Sequence, residues 1–164
     1  FRRALEILTD CPENCDRSCY RCLRSFKNKF EHDSLDRFLG AMLIRFLLDG
    51  GEPQVDVTRL NQYVDLLFED LCRQDRPDLR IERSASVTDD QLGEVEVPIL
   101  ITDESGSQLV VAVHSGLTPN YAPTPELREL SEFSFVPIHL VDEILIRKNL
   151  PTATRQVLDL VSAG

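Results

Sequence analysis

Four of the five cysteines lie within twelve residues, at Cys11, Cys15, Cys19 and Cys22. Zinc binds four deprotonated cysteine sulfurs tetrahedrally, with about 2.3 Å between the ion and each sulfur. Cysteines separated by two to four residues in short loops are typical of such sites. Because four sulfurs leave no open coordination position, this spacing predicts a structural zinc site that takes no direct part in catalysis.

Two other uses of these cysteines are compatible with the spacing. Four cysteines can also hold an iron–sulfur cluster, which we place second to zinc. Disulfides or free thiols come third, because disulfides are typical of small secreted proteins, whereas no export signal is recognisable here and 42% of the residues are hydrophobic. The fifth cysteine, Cys72, lies on the apolar stripe of a predicted helix, and we expect it to be buried.

Charge is unevenly distributed along the 164 residues. The formal net charge is −10, which argues against nucleic-acid affinity over the whole surface, since phosphate binding depends on lysine and arginine. Residues 17–30 contain five basic and no acidic side chains, so this segment carries +5 and the remainder −15. Only the neighbourhood of the cysteines is therefore expected to attract nucleic acid.

The cysteine segment resembles a known family. The residues that carry the resemblance are Cys19, Tyr20, Cys22, Leu23, Arg24, Ser25, Asn28, His32, Leu35, Asp36 and Arg37, with an aromatic at Phe26. They are similar to the C-terminal zinc-binding domain of a group of bacterial superfamily-2 helicases. That domain also occurs in the mitomycin repair factor helicase and in the helicase-associated protein of the DISARM phage-defence system. The resemblance covers about residues 1–48.

The resemblance implies a module that binds zinc through the four clustered cysteines and helps a DNA translocase to hold its substrate. The residues themselves are compatible with DNA contact, because basic side chains can meet phosphates and exposed aromatics can stack on unpaired bases. The alternative, slightly favoured by the i, i+4 spacing of Phe26 and Phe30, is that the aromatics pack inward. The candidate nucleic-acid contacts are Arg17, Tyr20, Arg21, Arg24, Lys27 and Lys29.

A long helix is predicted directly after the cysteines. Apolar residues recur at helical spacing from Leu35 to Leu47 and predict a buried stripe, with Asp33 or Ser34 as N-cap and Gly50 with Gly51 as the stop. His32 and Asp36 are better explained by a cap and a local hydrogen bond than by a further metal ligand. We predict a zinc-binding helical module at 1–50 and a compact α/β domain at 51–164.

The second domain is predicted to have an αβββαβ core followed by closing helices. A helix lies between Thr58 and Gln74, strands follow at 79–86, 94–101 and 108–115, and a helix capped by Thr124 precedes a fourth strand at 133–140. The tail helix is expected to bury most of its apolar face. The overall fold class is therefore α+β, with a four-cysteine zinc knuckle on a long helix.

The αβββαβ order is that of restriction-endonuclease-like nucleases. Such enzymes hold a divalent metal through a strand carboxylate and an acid and lysine on the next strand. Here Glu94 and Glu96 lie on the second strand, but Val111 and Val113 occupy the positions required on the third. We therefore expect a degenerate, non-cutting relative or a different fold of the same order, and no catalytic residues. A catalytic role for the His114 segment is disfavoured.

The sequence predicts the role of this chain as one module of a larger assembly. We expect a non-enzymatic, DNA-engaging scaffold in the cytoplasm, belonging to a helicase or its partner subunit and serving repair or phage defence, with defence slightly favoured. The alternative is a protein-interaction module that touches no DNA. There is no GxxxxGK phosphate loop or membrane-spanning apolar run. Because the sequence opens on Phe1, we expect it to be a fragment of a longer chain, with ATP hydrolysis carried out elsewhere in that chain or in a separate helicase subunit.

Overall fold

A computed structural model describes residues 1–50, 53, 56–118 and 124–163. The chain forms two compact units, Phe1–Gln54 (unit 1) and Val55–Gly164 (unit 2). The architecture is a mixed α+β fold with the cysteine cluster near the N-terminus and one four-stranded sheet, as predicted. The division into two independent domains after residue 50 stays a prediction.

Unit 1 contains two helices with the cysteine loop between them. Helix α1 spans Arg2–Thr9, a 3-10 helix spans Phe26–Glu31, and helix α2 spans Arg37–Asp49. Helix α1 packs on α2 with the Leu8 side chain against Gly40. Helix α2 ends at Gly50, whose φ of +68° is the left-handed conformation that glycine adopts without strain. Gly51, the second half of the predicted stop, lies outside the described residues.

The predicted start of α2 is wrong by one turn. Asp36, and neither Asp33 nor Ser34, is the N-cap, because its Oδ1 accepts hydrogen bonds from the backbone N–H groups of Phe38 and Leu39. The preceding residues form a separate turn, in which the Ser34 and Leu35 N–H groups donate to the Glu31 carbonyl. Asp36 is buried, so its carboxylate satisfies two donors that water could not reach easily.

Replacing Asp36 by alanine should loosen α2. Loss of the cap is expected to cost about 1 kcal/mol, and amide hydrogen exchange in α2 should accelerate roughly fivefold. The matched control is Asp33→Ala, which removes an exposed carboxylate of the same type three residues earlier. Hydrogen exchange followed by mass spectrometry distinguishes the two variants. Equal acceleration in both would show that Asp36 does not act as the cap.

The apolar stripe predicted to be buried on α2 is largely exposed, and this prediction is wrong. The short helix α1 packs on one side of α2. Within α2, Ala41 is buried and Leu39 and Met42 are half-buried, and Leu35 in the preceding turn is also half-buried. An eight-residue helix cannot cover a thirteen-residue helix that is apolar on several sides. The exposed apolar residues of α2, called the α2 apolar face below, are Phe38, Leu43, Phe46, Leu47 and Leu48.

Unit 2 follows the predicted order. Its elements in sequence are α3 (Val57–Arg73), β1 (Leu79–Asp89), β2 (Gly93–Asp103), β3 (Gln108–His114), α4 (Pro125–Phe133), β4 (Ile138–Asp142) and α5 (Glu143–Ala163). The sheet order is β1-β2-β3-β4, with the first two pairs antiparallel and β3 parallel to β4. Helix α4 supplies the crossover that a parallel pair requires. The fourth strand begins later than predicted, because Phe133 still belongs to α4.

Both faces of the sheet are covered by helices. Side chains alternate along β3, so Val111 and Val113 pack in the core beneath α3 and α5, while Val110 and Ala112 pack in the core beneath α4. Helix α5 is broken at Asn149, where φ is −155° and ψ is 72°, just before Pro151. The sheet is therefore a central layer between helices, and its strand ends are available for a site.

One prediction about burial in unit 2 is wrong, and the expectation that the tail helix buries most of its apolar face is confirmed. Cys72 is exposed, because the buried stripe of α3 is formed by Leu60, Val64, Leu67 and Leu71, and Cys72 lies about 100° further round the helix. In the tail of α5, Val157 is in the core and Leu158 and Val161 pack against it, whereas Leu160 is 46% exposed. Among the described residues, no helix has the length and apolar character needed to cross a membrane.

Candidate metal centre and basic aromatic surface

The four clustered cysteines come together as predicted. Neighbouring sulfur atoms are 3.6 Å apart between Cys11 and Cys15, and 3.5 Å apart between Cys11 and Cys19. The sulfurs of Cys15 and Cys22 are separated by 3.6 Å, and those of Cys19 and Cys22 by 3.7 Å. All four lie within 4.8 Å of one another. None of the five cysteines forms a disulfide, and these separations far exceed the roughly 2.05 Å of a sulfur–sulfur bond.

The sulfur separations match a single tetrahedral ion. With about 2.3 Å from the ion to each sulfur, tetrahedral geometry places the sulfurs about 3.8 Å apart. A cluster of several iron atoms occupies more space and needs its cysteine sulfurs further apart. The arrangement can therefore hold one metal ion with all four positions filled by protein, and it leaves no position for a reacting water.

Backbone hydrogen bonds shape the loop around the sulfurs. The Cys19 carbonyl accepts from the N–H groups of Cys22, Leu23 and Arg24, at 3.1, 3.1 and 2.9 Å, which folds the CxxC segment into a tight turn. The Cys19 N–H donates to the Cys22 sulfur, and the Arg21 N–H donates to the Cys19 sulfur. N–H groups directed at sulfur favour the thiolate form that binds metal.

The thiols have strongly different proton affinities in the absence of a cation. A hydrogen bond from the Cys15 backbone lowers the pKa of Cys11 to about 6. Burial, followed by the nearby Cys22 sulfur, raises the pKa of Cys15 to about 12. Burial also raises the pKa of Cys19. Four thiolates this close repel one another, so full ionisation requires a cation among them, as expected for a metal centre.

A buried arginine fastens the loop to both helices. The Arg37 guanidinium donates to the carbonyls of Cys15 at 2.8 Å and Leu8 at 3.0 Å, and to the Asn14 side chain at 3.3 Å. The Arg37 backbone N–H also donates to the Arg17 carbonyl at 2.7 Å. Arg37 belongs to the residues that carry the family resemblance, but its role was not predicted. Arginine suits this position because its fixed fork of donors serves several carbonyls together.

His32 and Asp36 have the local roles predicted for them. The His32 Nε2 lies 3.0 Å from the Ser25 carbonyl and 3.1 Å from Asn28 Oδ1, and the ring meets Tyr20 edge-on. Asp36 caps α2. Neither residue belongs to the sulfur cluster. The metal centre thus consists of cysteines alone among the residues that the structure describes.

Exposed aromatic and basic side chains lie beside the metal centre. Phe26 is 79% exposed, Phe30 is 87% exposed and Tyr20 is 68% exposed, so the expectation that Phe26 and Phe30 pack inward is wrong. The Lys29 ammonium lies 5.0 Å from the Phe26 ring centroid and 4.8 Å from that of Phe30. The exposed members, called the basic aromatic surface below, are Tyr20, Arg21, Phe26, Lys27, Lys29 and Phe30.

Two of the predicted nucleic-acid contacts are partly withdrawn from solvent. Arg24 is half-buried, and its Nε donates to the hydroxyl of buried Ser18 at 2.9 Å. Arg17 is also half-buried, and its carbonyl accepts the bond from Arg37. Arg21 is exposed, and its 3.8 Å contact with exposed Glu13 is a weak one. Arg21 is thus the most exposed of the three arginines in this segment. The basic side chains most accessible to a phosphate are Arg21, Lys27 and Lys29.

The strand positions that a nuclease would use are unsuitable in unit 2. Val111 and Val113 on β3 are fully buried in the apolar core, whereas Glu94 and Glu96 on β2 are exposed. His114 is buried, with Nδ1 2.9 Å from the Ser115 carbonyl. The absence of a nuclease site in unit 2 stays a prediction.

A buried carboxylate network that sequence reasoning missed lies at the end of β3. Glu143, 1% exposed, accepts from the Arg59 guanidinium at 2.8 Å through Oε2. Its Oε1 accepts from the Ser115 hydroxyl at 3.1 Å and from the Gly116 N–H at 3.2 Å. The Ser115 hydroxyl thus donates its hydrogen bond to the Glu143 carboxylate and not to His114. These contacts join α3, the end of β3 and the start of α5, so we assign the network a structural role.

Fold and site together define an α+β protein with a closed four-cysteine site that could hold a metal ion. Among curated proteins the chain is similar to Druantia protein DruE of Escherichia coli (strain UMEA 4076-1), with 28% identity over 164 residues. The similarity covers 96% of this chain and 8% of DruE, so the chain spans less than a tenth of that protein's length. No protein-family model matches the sequence. No solved structure matches it.

Proposed function

We propose that this chain is a non-catalytic, zinc-binding module that contacts DNA within a larger bacterial phage-defence assembly. The observation that carries the proposal is the position of the basic aromatic surface, which lies on the same short segment as the four-sulfur site. Zinc would hold that segment in shape through Cys11, Cys15, Cys19 and Cys22. The surrounding protein would supply ATP hydrolysis.

Zinc is proposed over iron on chemical grounds. Sulfur separations of 3.5 to 3.7 Å fit one ion of zinc size, and zinc is redox-inactive and stable in closed four-thiolate sites. The backbone N–H groups that point at sulfur distribute the negative charge of the site. A structural ion is consistent with the absence of an open ligand position.

Defence is proposed over repair because of the similarity to DruE, a bacterial phage-defence protein. The similarity extends over nearly the whole chain, whereas the helicase-domain resemblance in the sequence covers only about residues 1–48. A helicase, as the remainder of the same chain or as a separate subunit, is the partner we propose. Unit 2 would be a scaffold of nuclease-like strand order that does not cut DNA, located with its partner in the cytoplasm.

A second candidate function is supported by the α2 apolar face. Phe38, Phe46 and Leu47 are 42%, 44% and 55% exposed on one helix, and together with their apolar neighbours they would gain free energy from being covered by protein. In this alternative the chain docks a partner helicase or nuclease and touches no nucleic acid. The two functions differ in whether basic residues of the surface affect DNA binding.

Reversing three exposed charges tests the DNA contact. The variant carries Arg21→Glu, Lys27→Glu and Lys29→Glu, and leaves Arg24 in place because of its bond to Ser18. We expect at least about tenfold weaker binding to labelled DNA by fluorescence anisotropy. The slope of log affinity against log salt is negative, and we expect its magnitude to decrease by about two to three, since three phosphate contacts are lost.

A matched control separates local from general charge effects. Arg73→Glu, Arg80→Glu and Arg155→Glu make the same change in net charge at exposed positions of unit 2. This control should bind DNA within about threefold of the unmodified chain, because screening limits distant charges. Equal losses in the two triple variants would contradict a local contact. Unchanged DNA affinity in both variants would favour the protein-docking alternative.

A further inference from the structure

We infer that Phe26, Lys29 and Phe30 form a binding site for unpaired nucleotides, so that the DNA contacted by this module is single-stranded. The inference rests on the proposed function and specifies its substrate. In this arrangement the Lys29 ammonium meets a phosphate, and the two phenyl rings stack on bases. The three residues lie on one 3-10 helix, Phe26–Glu31.

The geometry suits a short run of stacked bases. The Lys29 ammonium lies 5.0 and 4.8 Å from the two ring centroids, so the centroids cannot be more than the sum, 9.8 Å, apart. Bases along one strand repeat every 3.4 Å or so when stacked, and two rings this close can therefore flank no more than about two nucleotides. With most of each ring in solvent, ring faces that the lysine does not cover are free to stack.

The helix that carries the rings is held rigidly. The Ser25 N–H donates to Asn28 Oδ1 at 2.7 Å, and the Asn28 amide donates to the Leu23 carbonyl at 2.9 Å. The His32 ring lies within hydrogen-bonding distance of Asn28 and Ser25. Because Leu23 directly follows Cys22, the metal centre and the rings are linked by a short hydrogen-bonded path. A backbone held in this way reduces the conformational entropy that the segment loses when a base stacks on its rings.

Single-stranded DNA fits the exposed rings better than duplex DNA does. In a duplex the base faces are stacked on one another and only their edges reach the grooves, so a phenyl face has nothing to stack on. A duplex could still meet the basic side chains through its phosphates, and that contact would not need the rings. The two modes therefore predict different effects of removing the aromatic side chains.

A protein ligand is less suited to these rings than to the α2 apolar face. Cations flank both phenylalanines within a segment that carries +5, and a protein partner would have to desolvate or pair these charges. Phosphates of a nucleic acid pair with them directly. The acidic remainder of the chain, at −15, would also confine a polyanion to this side of unit 1.

The test is a double substitution, Phe26→Ala with Phe30→Ala, in the full 164-residue chain loaded with zinc. The probes are a labelled oligothymidine of about 20 nucleotides and a labelled duplex of the same length, measured by anisotropy at about 50 and 200 mM salt. The matched control is Phe135→Ala, a fully exposed phenylalanine of unit 2. Far-UV circular dichroism and zinc content verify that each variant is folded.

We expect the double variant to bind the single strand at least about tenfold more weakly and the duplex within about twofold of the unmodified chain. Phe135→Ala should change neither affinity. Equal losses of affinity on both probes, or no loss on the single strand, would overturn the inference. The proposed DNA contact would still stand if the charge-reversed variant loses affinity. If the unmodified chain binds neither probe, the proposed function itself fails.

Discussion

Replacing Cys19 and Cys22 by serine will unfold unit 1 and leave unit 2 folded. Among the described residues of unit 1, the buried hydrophobic side chains are Leu8, Cys11 and Ala41, which is too small a core to hold two short helices and a loop. A structural zinc site contributes apparent binding free energies of about 10 to 16 kcal/mol in zinc-finger peptides. Loss of two of four thiolates removes most of that contribution.

Limited proteolysis followed by mass spectrometry measures this effect by position. In the double variant, cleavage should appear throughout residues 1–50 under conditions in which the strands of unit 2 stay intact. A strong chelator should have the same effect on the unmodified chain, and acid should act in the same direction because protons compete with metal for the thiolates. Cys72→Ser is the matched control, since Cys72 is exposed and lies outside the cluster. Continued protection of unit 1 in the double variant would contradict a metal-dependent fold.

Replacing Glu143 by alanine will strongly destabilise unit 2. The substitution removes the carboxylate that pairs with the Arg59 guanidinium, which is 15% exposed, and it also removes the acceptor of Ser115 and Gly116. Breaking a buried ion pair from one side costs about 3 to 5 kcal/mol, because a charge stays buried without compensation. Hydrogen exchange of β3 amides in increasing urea measures the change, since these core amides report global opening of the unit.

Two further variants test the Glu143 prediction, one as a control and one for the cause of the lost stability. Glu129→Ala removes an exposed carboxylate of α4 and should change the free energy of unfolding by less than about 0.5 kcal/mol. The double variant Arg59→Met with Glu143→Leu should lose less stability than Glu143→Ala alone, because apolar groups need no partner. A double variant less stable than the single one would show that the ion pair itself, and not the charge that remains on Arg59, determines the effect.

The clustering of the four cysteines was predictable because it is local. The four residues lie within twelve positions, and the chemistry of clustered cysteines leaves few alternatives to a metal site. The order of helices and strands in unit 2 was also predictable, since alternation in the strands and caps such as Thr124 act over short distances. Features that depend on neighbours within four or five residues are the ones that a single sequence records.

The errors concern contacts between distant parts of the chain. The apolar pattern of α2 indicates that the helix needs a partner, but it does not say how much of the helix that partner covers. The pair formed by Arg59 and Glu143 joins residues 84 positions apart, and neither has a neighbour in sequence that marks it as buried. The inward packing expected for Phe26 and Phe30 assumed a regular helix, whereas the segment is a short 3-10 helix with a kink at Asn28.

The metal content of the chain tests the central claim most directly. Inductively coupled plasma mass spectrometry on protein purified without chelator should find one zinc ion per chain, retained in Cys72→Ser and absent when Cys19 and Cys22 are serine. That result would establish the ion on which the shape of the basic aromatic surface depends. A chain that contains neither zinc nor iron, yet is folded throughout unit 1, would contradict the account.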